Sequence, residues 1–203
     1  MKKLIYTVGY GSRKDEEIYI LINKYSINCV VDIRNKSDNI ESLKKLLNNQ
    51  GIYYIPMHDE FNFEKNEAHD FETARVSENV KSGMSRIENG LVKGFNIVIM
   101  GEELDPISCN RGILISYILK NKGIHIEHII DEEIVRSQED LEKELLKGYG
   151  VKLIKKVAEL SIKGIMRNKD LEMNEDDFKA EMIEEAYRIR YKEILNKKHR
   201  EIY

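Results

Sequence analysis

A cluster of chemically active side chains follows one apolar run near the middle of the chain. The run is Ile97–Met100, and after it come Glu102, Glu103, Cys109 and Arg111. A short run of this kind predicts a buried strand, and ligands of α/β proteins bind where such strands end. Burial at a strand end raises a carboxyl pKa, so we interpret Glu102 as a candidate catalytic acid or base.

Cys109 is the candidate nucleophile of this stretch. We predict that Ser108 caps a helix beginning at Cys109, and a helix start beside Arg111 lowers a thiol pKa. Residue 110 is asparagine, however, so no histidine stands next to the thiol to take its proton. A small buried residue at a helix start is the alternative interpretation of Cys109, and we favour it over catalysis.

Asp32 and Arg34 follow a second apolar run. They are two residues apart on a predicted strand end, so their side chains point to the same side. They either pair with each other or present a carboxylate and a guanidinium to a ligand. Both interpretations stay open, with Asp32 as the second candidate catalytic carboxylate and Arg34, like Arg111, as a candidate ligand-binding residue.

A glycine-containing turn follows the first apolar run of the chain. It consists of Gly9, Tyr10, Gly11 and Ser12. Such a turn can bring backbone N–H groups close to an anionic ligand, and we predict all four residues to be ligand-binding. The turn resembles half of a dinucleotide-binding fingerprint, but Lys14 stands in place of the third glycine. We also expect Ser12 to cap the helix that follows.

Strand and helix signals alternate five times in the first 150 residues. Short connections and nearly continuous apolar strands predict an α/β fold, a Rossmann-like three-layer sandwich with a mostly parallel five-stranded sheet. The fifth strand is expected to lead into a helix after Asp131. We prefer the strand order 3-2-1-4-5 over 2-1-3-4-5, because it makes the first, second and fourth strands neighbours with their polar ends at one crevice.

We predict two parts of the chain, an α/β domain at residues 1–150 and a C-terminal helical extension at residues 151–203. Only helical spacing follows Val151. The last helix carries an apolar stripe of Phe178, Met182, Ala186 and Ile189, which needs a surface to cover. That surface belongs either to the domain or to a second copy, so a homodimer through these helices is one expectation.

Composition and charge narrow the class of protein. The 203 residues carry a formal net charge of -3, which gives no general attraction to nucleic acid, and the two cysteines do not form a disulfide framework. The first apolar run is too short for a signal peptide or a membrane span, so we expect a cytoplasmic protein without membrane association.

His125 and His128 point to opposite faces of a predicted strand, and we predict no metal and no cofactor.

Five segments resemble, in order, the motifs of one bacterial and archaeal family. They are Thr7–Ser12, Val31–Arg34, Gly51–Pro56, Met100–Arg111 and His125–Ile129. The family is called domain of unknown function 488, and its motifs run T-x-G-[HY], D-V-R, C-x-E, C-H-R and a closing strand with H-I. The resemblance covers residues 4 to 130 and leaves the C-terminal helices outside.

The chain departs from the family pattern at several positions. Gly101 and the preceding Met100 stand where the family has its first cysteine and a small residue before its glutamate, and Asn110 stands where it has a histidine. Residues 35–38 and 57–62 replace a proline- and arginine-rich segment and a glycine-rich stretch. These departures argue against chemistry that needs two cysteines.

Two functions fit these residues. The first is an enzyme that holds a small anionic or nucleotide-like substrate at the carboxyl edge of the sheet and hydrolyses a glycosyl or phosphoester bond, with Glu102 as acid or base. The second is a non-catalytic module that binds a nucleotide or a protein partner, which the missing cysteine and histidine favour. The sequence leaves both open.

Overall fold

The computed structural model describes residues 3–34, 40–61, 70–167 and 175–201. The chain divides into two units, Met1–Gln138 and Glu139–Tyr203. The first unit contains a sheet with its helices, and the second is helical. The boundary that we predicted at residue 150 falls inside a single helix, Gln138–Arg167.

In the described residues, six strands form one sheet in the order β3-β2-β4-β1-β5-β6. Their bounds are β1 Leu4–Gly9, β2 Cys29–Asp32, β3 Tyr53–Pro56, β4 Ile97–Gly101, β5 His125–Ile129 and β6 Val135–Ser137. Strands β1 to β5 are parallel, and β6 runs antiparallel to β5. The predicted α/β class with a mostly parallel sheet is confirmed, with one strand more than predicted.

Strand β4 lies between β1 and β2, so both strand orders derived from the sequence are wrong. Tyr6 of β1 and Val30 of β2 are both in register with Val98 of β4. Parallel strands are joined by long crossover connections, and the length of such a connection does not determine which strands become neighbours in the sheet. The first, second and fourth strands are nevertheless neighbours, with the fourth at their centre.

Helices cover both faces of this sheet. They are α1 Asp15–Lys24, α2 Ile40–Asn49, α3 Phe71–Val76, α4 Glu78–Val92 and α5 Ser116–Asn121. Side chains of α1 and α2, such as Ile22 and Leu47, pack with Val8 and Val30 of the sheet in one buried cluster. On the other face, Gly90 of α4 comes so close to Ile97 of β4 that an added Cβ would lie 2.9 Å from its side chain.

The segment after β4 does not form the regular helix that we predicted from Cys109 onward. Asp105 caps a short 3-10 turn, Pro106–Ser108, and a π-helix follows at Arg111–Ile115 before α5 begins. Cys109 lies between the two turns in an extended conformation. Ser108 therefore does not cap a helix at Cys109, because the chain first needs the tight turn that Asp105 and Pro106 favour.

The segment after β5 also differs from the prediction of a helix following Asp131. The Asp131 carboxylate accepts the backbone N–H groups of Glu133 and Ile134, each at 2.8 Å. This turn reverses the chain, and Ile130 N donates to Ile134 O at 3.0 Å. The chain therefore returns as strand β6, and α6, Gln138–Arg167, begins only after it.

The second unit contains α6 and α7, Glu175–Glu201. The hydroxyl group of Tyr187 in α7 donates a hydrogen bond to Glu142 Oε1 in α6 at 3.0 Å. Of the predicted apolar stripe on α7, Ala186 is buried, whereas Phe178, Met182 and Ile189 are partly exposed. Within the described residues, no helix combines the length and the apolar character that crossing a membrane requires.

Candidate functional site

The carboxyl ends of β1, β2 and β4 meet at one edge of the sheet. Gly9 is in register with Gly101, and Asp32 with Met100. Because parallel strands end at the same edge, the glycine turn, Asp32 and Glu102 lie on that edge, as the sequence indicated.

The glycine turn after β1 is joined to the segment after β4. Tyr10 N donates to Gly101 O at 2.8 Å, and Gly11 N donates to Glu102 O at 2.7 Å. Gly9 packs against the same segment, since an added Cβ would lie 2.3 Å from Glu103 O. These two N–H groups are therefore used inside the protein and do not face a ligand.

Ser12 is exposed and does not cap α1. The residue at the cap position is Lys14, whose backbone N–H donates to the Glu17 carboxylate at 2.7 Å. Our expectation that Ser12 caps the helix is wrong, because α1 begins at Asp15, three residues after Ser12. Acidic side chains in the first turn stabilise this start.

Asp32 and Arg34 pair with each other, which is the structural alternative left open by the sequence. Arg34 Nη2 lies 2.7 Å from Asp32 Oδ2, and Arg34 Nε lies within 3.1 Å of both carboxylate oxygens. Tyr54 of β3 donates to the same carboxylate at 2.5 Å. Asp32 is 1% and Arg34 3% exposed, so this pair is closed to bulk solvent.

The guanidinium of Arg34 also lies over the ring of Tyr10, with 4.0 Å between Arg34 Cζ and the ring centroid. The Tyr10 hydroxyl donates to Asp15 of α1 at 2.9 Å. Tyr10 is thus held between the start of α1 and the ion pair. In this arrangement Arg34 pairs with Asp32 and stacks on the ring of Tyr10, and both side chains stabilise the edge of the sheet.

Glu102 is the predicted site residue that faces solvent at the end of the central strand β4. Partial burial of its carboxyl raises the pKa of Glu102, the charge of Arg34 lowers it, and the charge of Glu103 raises it again. The net result is a pKa above that of an ordinary carboxyl group. Glu102 is more exposed than the sequence indicated, and it combines access with an altered acidity.

Cys109 is 2% exposed, and its Sγ lies 3.5 Å from Pro106 O. Burial raises the pKa of the Cys109 thiol, and the nearby charge of Arg111 opposes that shift only in part. A protonated, enclosed thiol is a poor nucleophile. The structure therefore favours the packing role for Cys109.

Arg111 is 1% exposed and belongs to a buried polar network. Its Nη1 donates to Thr7 Oγ1 at 2.7 Å, and its Nη2 donates to Glu103 O at 2.7 Å. Thr7 Oγ1 lies 2.7 Å from His128 Nδ1, and His128 Nε2 lies 2.7 Å from Gln138 Oε1. In the described part of the chain, no carboxylate pairs with this guanidinium, and Arg111 Nε has no hydrogen-bond partner.

The two arginines predicted to bind one ligand lie on opposite faces of the sheet. Asp32 is in register with Met100, which packs in the cluster with α1 and α2. Thr7, the partner of Arg111, precedes Val8 of that cluster and so points to the other face. Arg34 and Arg111 therefore do not converge on one anion.

An arginine that the sequence analysis missed lies at an open cleft of this edge. Arg13, just before α1, donates to Gly9 O at 2.5 Å and also to Ile130 O. The cleft is lined by Arg13, Leu104, Asp105, Ile130, Asp131 and Arg136. Ile130 and Asp131 directly follow β5, so the cleft lies at the carboxyl edge of the sheet, where ligands bind in open α/β folds.

A comparison with protein families matches residues 14–118 to the family described as Domain of unknown function DUF488. This is half of the chain, and the match spans strands β2, β3 and β4 with the segment around Cys109. The chain belongs to this family. No curated protein and no solved structure matches the chain.

Two positions where the chain departs from the DUF488 motifs lie close to Arg111. A Cβ added to Gly101 would lie 3.1 Å from Arg111 Nε, so a larger residue there would crowd the Arg111 side chain. Asn110, which stands in place of the family's histidine, is 7% exposed, and its Oδ1 has no hydrogen-bond partner in the described residues. Among those residues, no three His, Cys, Asp or Glu side chains are grouped as a metal site requires.

Proposed function

We propose that this DUF488 protein binds a small anionic or nucleotide-like ligand at the carboxyl edge of the sheet, and that Glu102 exchanges a proton with it during hydrolysis. The observation that carries the proposal is the position of Glu102, an exposed carboxyl with a raised pKa at the end of the central strand. A carboxyl group whose pKa moves toward neutrality can both give and take a proton under working conditions.

The other two candidate catalytic residues are less suited to this role. The Asp32 carboxylate already accepts hydrogen bonds from Arg34 and Tyr54 and is 1% exposed. The Cys109 thiol is enclosed, and burial raises its pKa. In the proposal, Asp32 and Arg34 hold the edge rigid and set the charge around Glu102, and Cys109 packs beneath it.

The test compares wild-type protein with Glu102→Gln against a panel of nucleosides, nucleotides and sugar phosphates, with products identified by mass spectrometry. Gln keeps the size of Glu102 and cannot ionise. We expect this variant to bind the ligand and to lose about 10²-fold or more in turnover. Glu88→Gln is the matched control, because Glu88 lies on α4 and forms an ion pair with Lys122, which follows α5. This substitution should leave turnover unchanged.

Turnover of Glu102→Gln at the wild-type rate, with the fold intact, would exclude Glu102 as the acid or base. The search would then move to Asp32. Loss of turnover in both Glu102→Gln and Glu88→Gln would indicate a general effect of charge on the protein and would also count against the proposal.

The second candidate function is a non-catalytic module that binds a nucleotide or a protein partner. It is favoured by the enclosed Cys109 and by Asn110 in place of the family's histidine. The same panel separates the two functions, since a module binds a ligand without converting it. In that case Glu102→Gln changes affinity alone.

We further propose a cytoplasmic location and a homodimer through the C-terminal helices. Support for the first is that both cysteines are free and buried. Support for the second is that Phe178, Met182 and Ile189 of α7 remain partly exposed along one stripe. Sedimentation equilibrium of the full chain, compared with Met182→Glu, tests the dimer, because a charge in a dimer interface should shift the mass toward that of one chain.

A further inference from the structure

The charges that line the cleft beside Arg13 balance one another. The lining carries two arginines, Arg13 and Arg136, and two aspartates, Asp105 and Asp131. Burial lowers the pKa of Arg13, and the charge of Asp131 opposes this shift. Arg136 Nη1 lies 3.9 Å from Asp105 Oδ1. The described lining residues therefore have no net formal charge, and they favour an uncharged ligand group over an ion.

Two apolar side chains, Leu104 and Ile130, complete the lining of the cleft. Leu104 is 44% exposed. A Cβ added to Gly11 would lie 2.6 Å from Leu104 Cγ, so one side of this leucine packs against the glycine turn. Leu104 thus presents an apolar surface whose position is fixed by the backbone beneath it, as the walls of small-molecule sites do.

Arg13 supplies hydrogen-bond donors at this cleft. Its Nη1 donates to Gly9 O at 2.5 Å, and its Nη2 donates to Ile130 O. A guanidinium carries five N–H donors in one plane, so these two bonds fix its orientation and leave further N–H groups for an acceptor on a ligand.

Asp131 supplies an acceptor at the same cleft. Its Oδ1 accepts the backbone N–H groups of Glu133 and Ile134, each at 2.8 Å. In the described residues, Asp131 Oδ2 accepts no hydrogen bond. The turn therefore holds the carboxylate in place through one oxygen and leaves the other for a donor on a ligand.

We propose that this cleft binds the uncharged ring of a nucleobase. The inference rests on the proposed function, because it assigns the base of the nucleotide-like ligand to the cleft. One face of the ring would lie against Leu104, a ring N–H would donate to Asp131 Oδ2, and a ring oxygen or nitrogen would accept from Arg13. Nucleobases join a flat face to donors and acceptors at their edge, and proteins bind them by contact with the face and hydrogen bonds to the edge.

The size and the place of the cleft agree with this assignment. Its volume is about 360 Å³, at the small end of the range of pockets that hold small molecules. The cleft is open, so the rest of the ligand can continue outside it. Leu104 follows Glu102 by two residues, and the ligand can therefore extend along this segment toward the proposed acid or base.

The experiment titrates the full-length protein with adenosine, cytidine, inosine, uridine and ribose by isothermal titration calorimetry. We expect at least one nucleoside to bind, and ribose to bind at least about tenfold more weakly than that nucleoside, since it lacks the ring. Asp131→Asn should weaken the nucleoside about tenfold, because an amide N–H group replaces the acceptor while the amide oxygen can still hold the turn. Glu88→Gln is the matched control, since it removes a carboxylate from α4, whereas the described lining of the cleft comes from other segments.

Substitutions of Leu104 keep the test independent of folding. Leu104→Ala removes the apolar wall and should weaken the nucleoside about threefold or more. Leu104→Phe provides an aromatic face on which a base can stack, and we expect at least about threefold tighter binding. A partly unfolded protein cannot show such a gain. Inorganic phosphate in excess should leave nucleoside binding unchanged, because the charges of the lining balance.

The outcomes separate the base subsite from the proposed function. Failure of all four nucleosides to bind the wild-type protein overturns the subsite. Equal binding to wild type, Asp131→Asn, Leu104→Ala and Leu104→Phe also overturns it, because the ring then binds elsewhere. Competition by inorganic phosphate does the same, since the cleft would then hold an anion. In each case turnover of the nucleotide and sugar phosphate panel by wild type and Glu102→Gln judges the proposed function separately.

Discussion

The hydroxyl of Thr7 lies 2.7 Å from Nδ1 of His128, and these two residues pair across the neighbouring strands β1 and β5. Gln138 Nε2 donates to Gly112 O at 2.9 Å, so Gln138 Oε1 accepts a hydrogen bond from the N–H at Nε2 of His128. His128 Nδ1 is therefore the acceptor for the Thr7 hydroxyl. Thr7 in turn accepts from Arg111, so the hydrogen bonds run in one direction from Arg111 to Gly112.

The first prediction concerns this network. Thr7→Val keeps the shape of the side chain but leaves a donor of Arg111 and an acceptor of His128 buried without a partner. We expect the free energy of unfolding in urea to fall by about 2–4 kcal/mol, since each such group costs about 1–3 kcal/mol. Thr7→Ser retains the hydroxyl and should lose only about 1 kcal/mol for the missing methyl group. Equal losses for Val and Ser would show that packing, not hydrogen bonding, matters at this position.

The second prediction follows from the burial of His128. Burial lowers the pKa of His128 from 6.5 to about 3, and the charge of Arg111 adds to the shift. Between these two values the unfolded chain binds a proton here that the folded chain does not. The stability from this site is therefore complete above pH 6.5 and is lost as the pH falls through the window, by up to about 1.4 kcal/mol per pH unit.

His128→Gln provides the comparison for that prediction, because Gln does not titrate. Urea unfolding of both proteins at steps between pH 7.5 and pH 5 should give a difference in free energy of unfolding that shrinks as the pH is lowered. Other titrating groups affect both proteins alike and cancel in the difference. Parallel curves for the two proteins would mean that His128 takes up a proton as readily in the folded protein as in the unfolded chain, and would contradict the lowered pKa.

The sequence indicated the strands because their residues are apolar in short runs, and β1, β2, β4 and β5 lie close to where those runs predicted them. It did not indicate their order, because the place of β4 depends on long-range pairing that leaves no local signal. Strand β6 was missed for a related reason. Residues Val135–Ser137 are too few for a periodic pattern, and their pairing depends on the turn that Asp131 forms.

The candidate site shows a similar division between local and distant information. The carboxyl edge could be predicted, since it follows from where parallel strands end. The separation of Arg34 from Arg111 could not, because it depends on the register of β1 and β2 against β4. Arg13 was missed because its partners are the backbone oxygen atoms of Gly9 and Ile130, at two strand ends. Every residue has such an atom, so the residue types do not reveal the contact.

The third prediction concerns the two thiols. Cys29 is 5% and Cys109 2% exposed, and burial raises the pKa of Cys29 to about 11 and raises that of Cys109. At pH 8 both thiols should therefore be protonated and enclosed. We expect a disulfide reagent such as DTNB to modify neither cysteine of the folded protein within minutes and both in guanidinium chloride. Rapid modification of one thiol in the folded state, absent in Cys109→Ser, would return Cys109 to the list of nucleophiles.

The last prediction separates the two roles considered for the glycine turn. A Cβ at Gly9 would lie 2.3 Å from Glu103 O and 2.6 Å from Leu104 Cα, both of them backbone atoms that cannot move aside easily. Gly9→Ala should therefore lower the free energy of unfolding by about 1–3 kcal/mol, as overpacking does elsewhere. It should do so whether or not a ligand is present, because the close contact is within the protein.

Gly148→Ala is the matched control for that substitution. Gly148 lies in α6, and an added Cβ would meet nothing within 4 Å. The same change should raise the free energy of unfolding by about 0.5–1 kcal/mol, since alanine favours a helix over glycine. Gly9→Ala could instead leave stability unchanged and weaken ligand binding. That result would mean that the turn after β1 needs its glycine for the approach of a ligand, and not for its contact with the segment after β4.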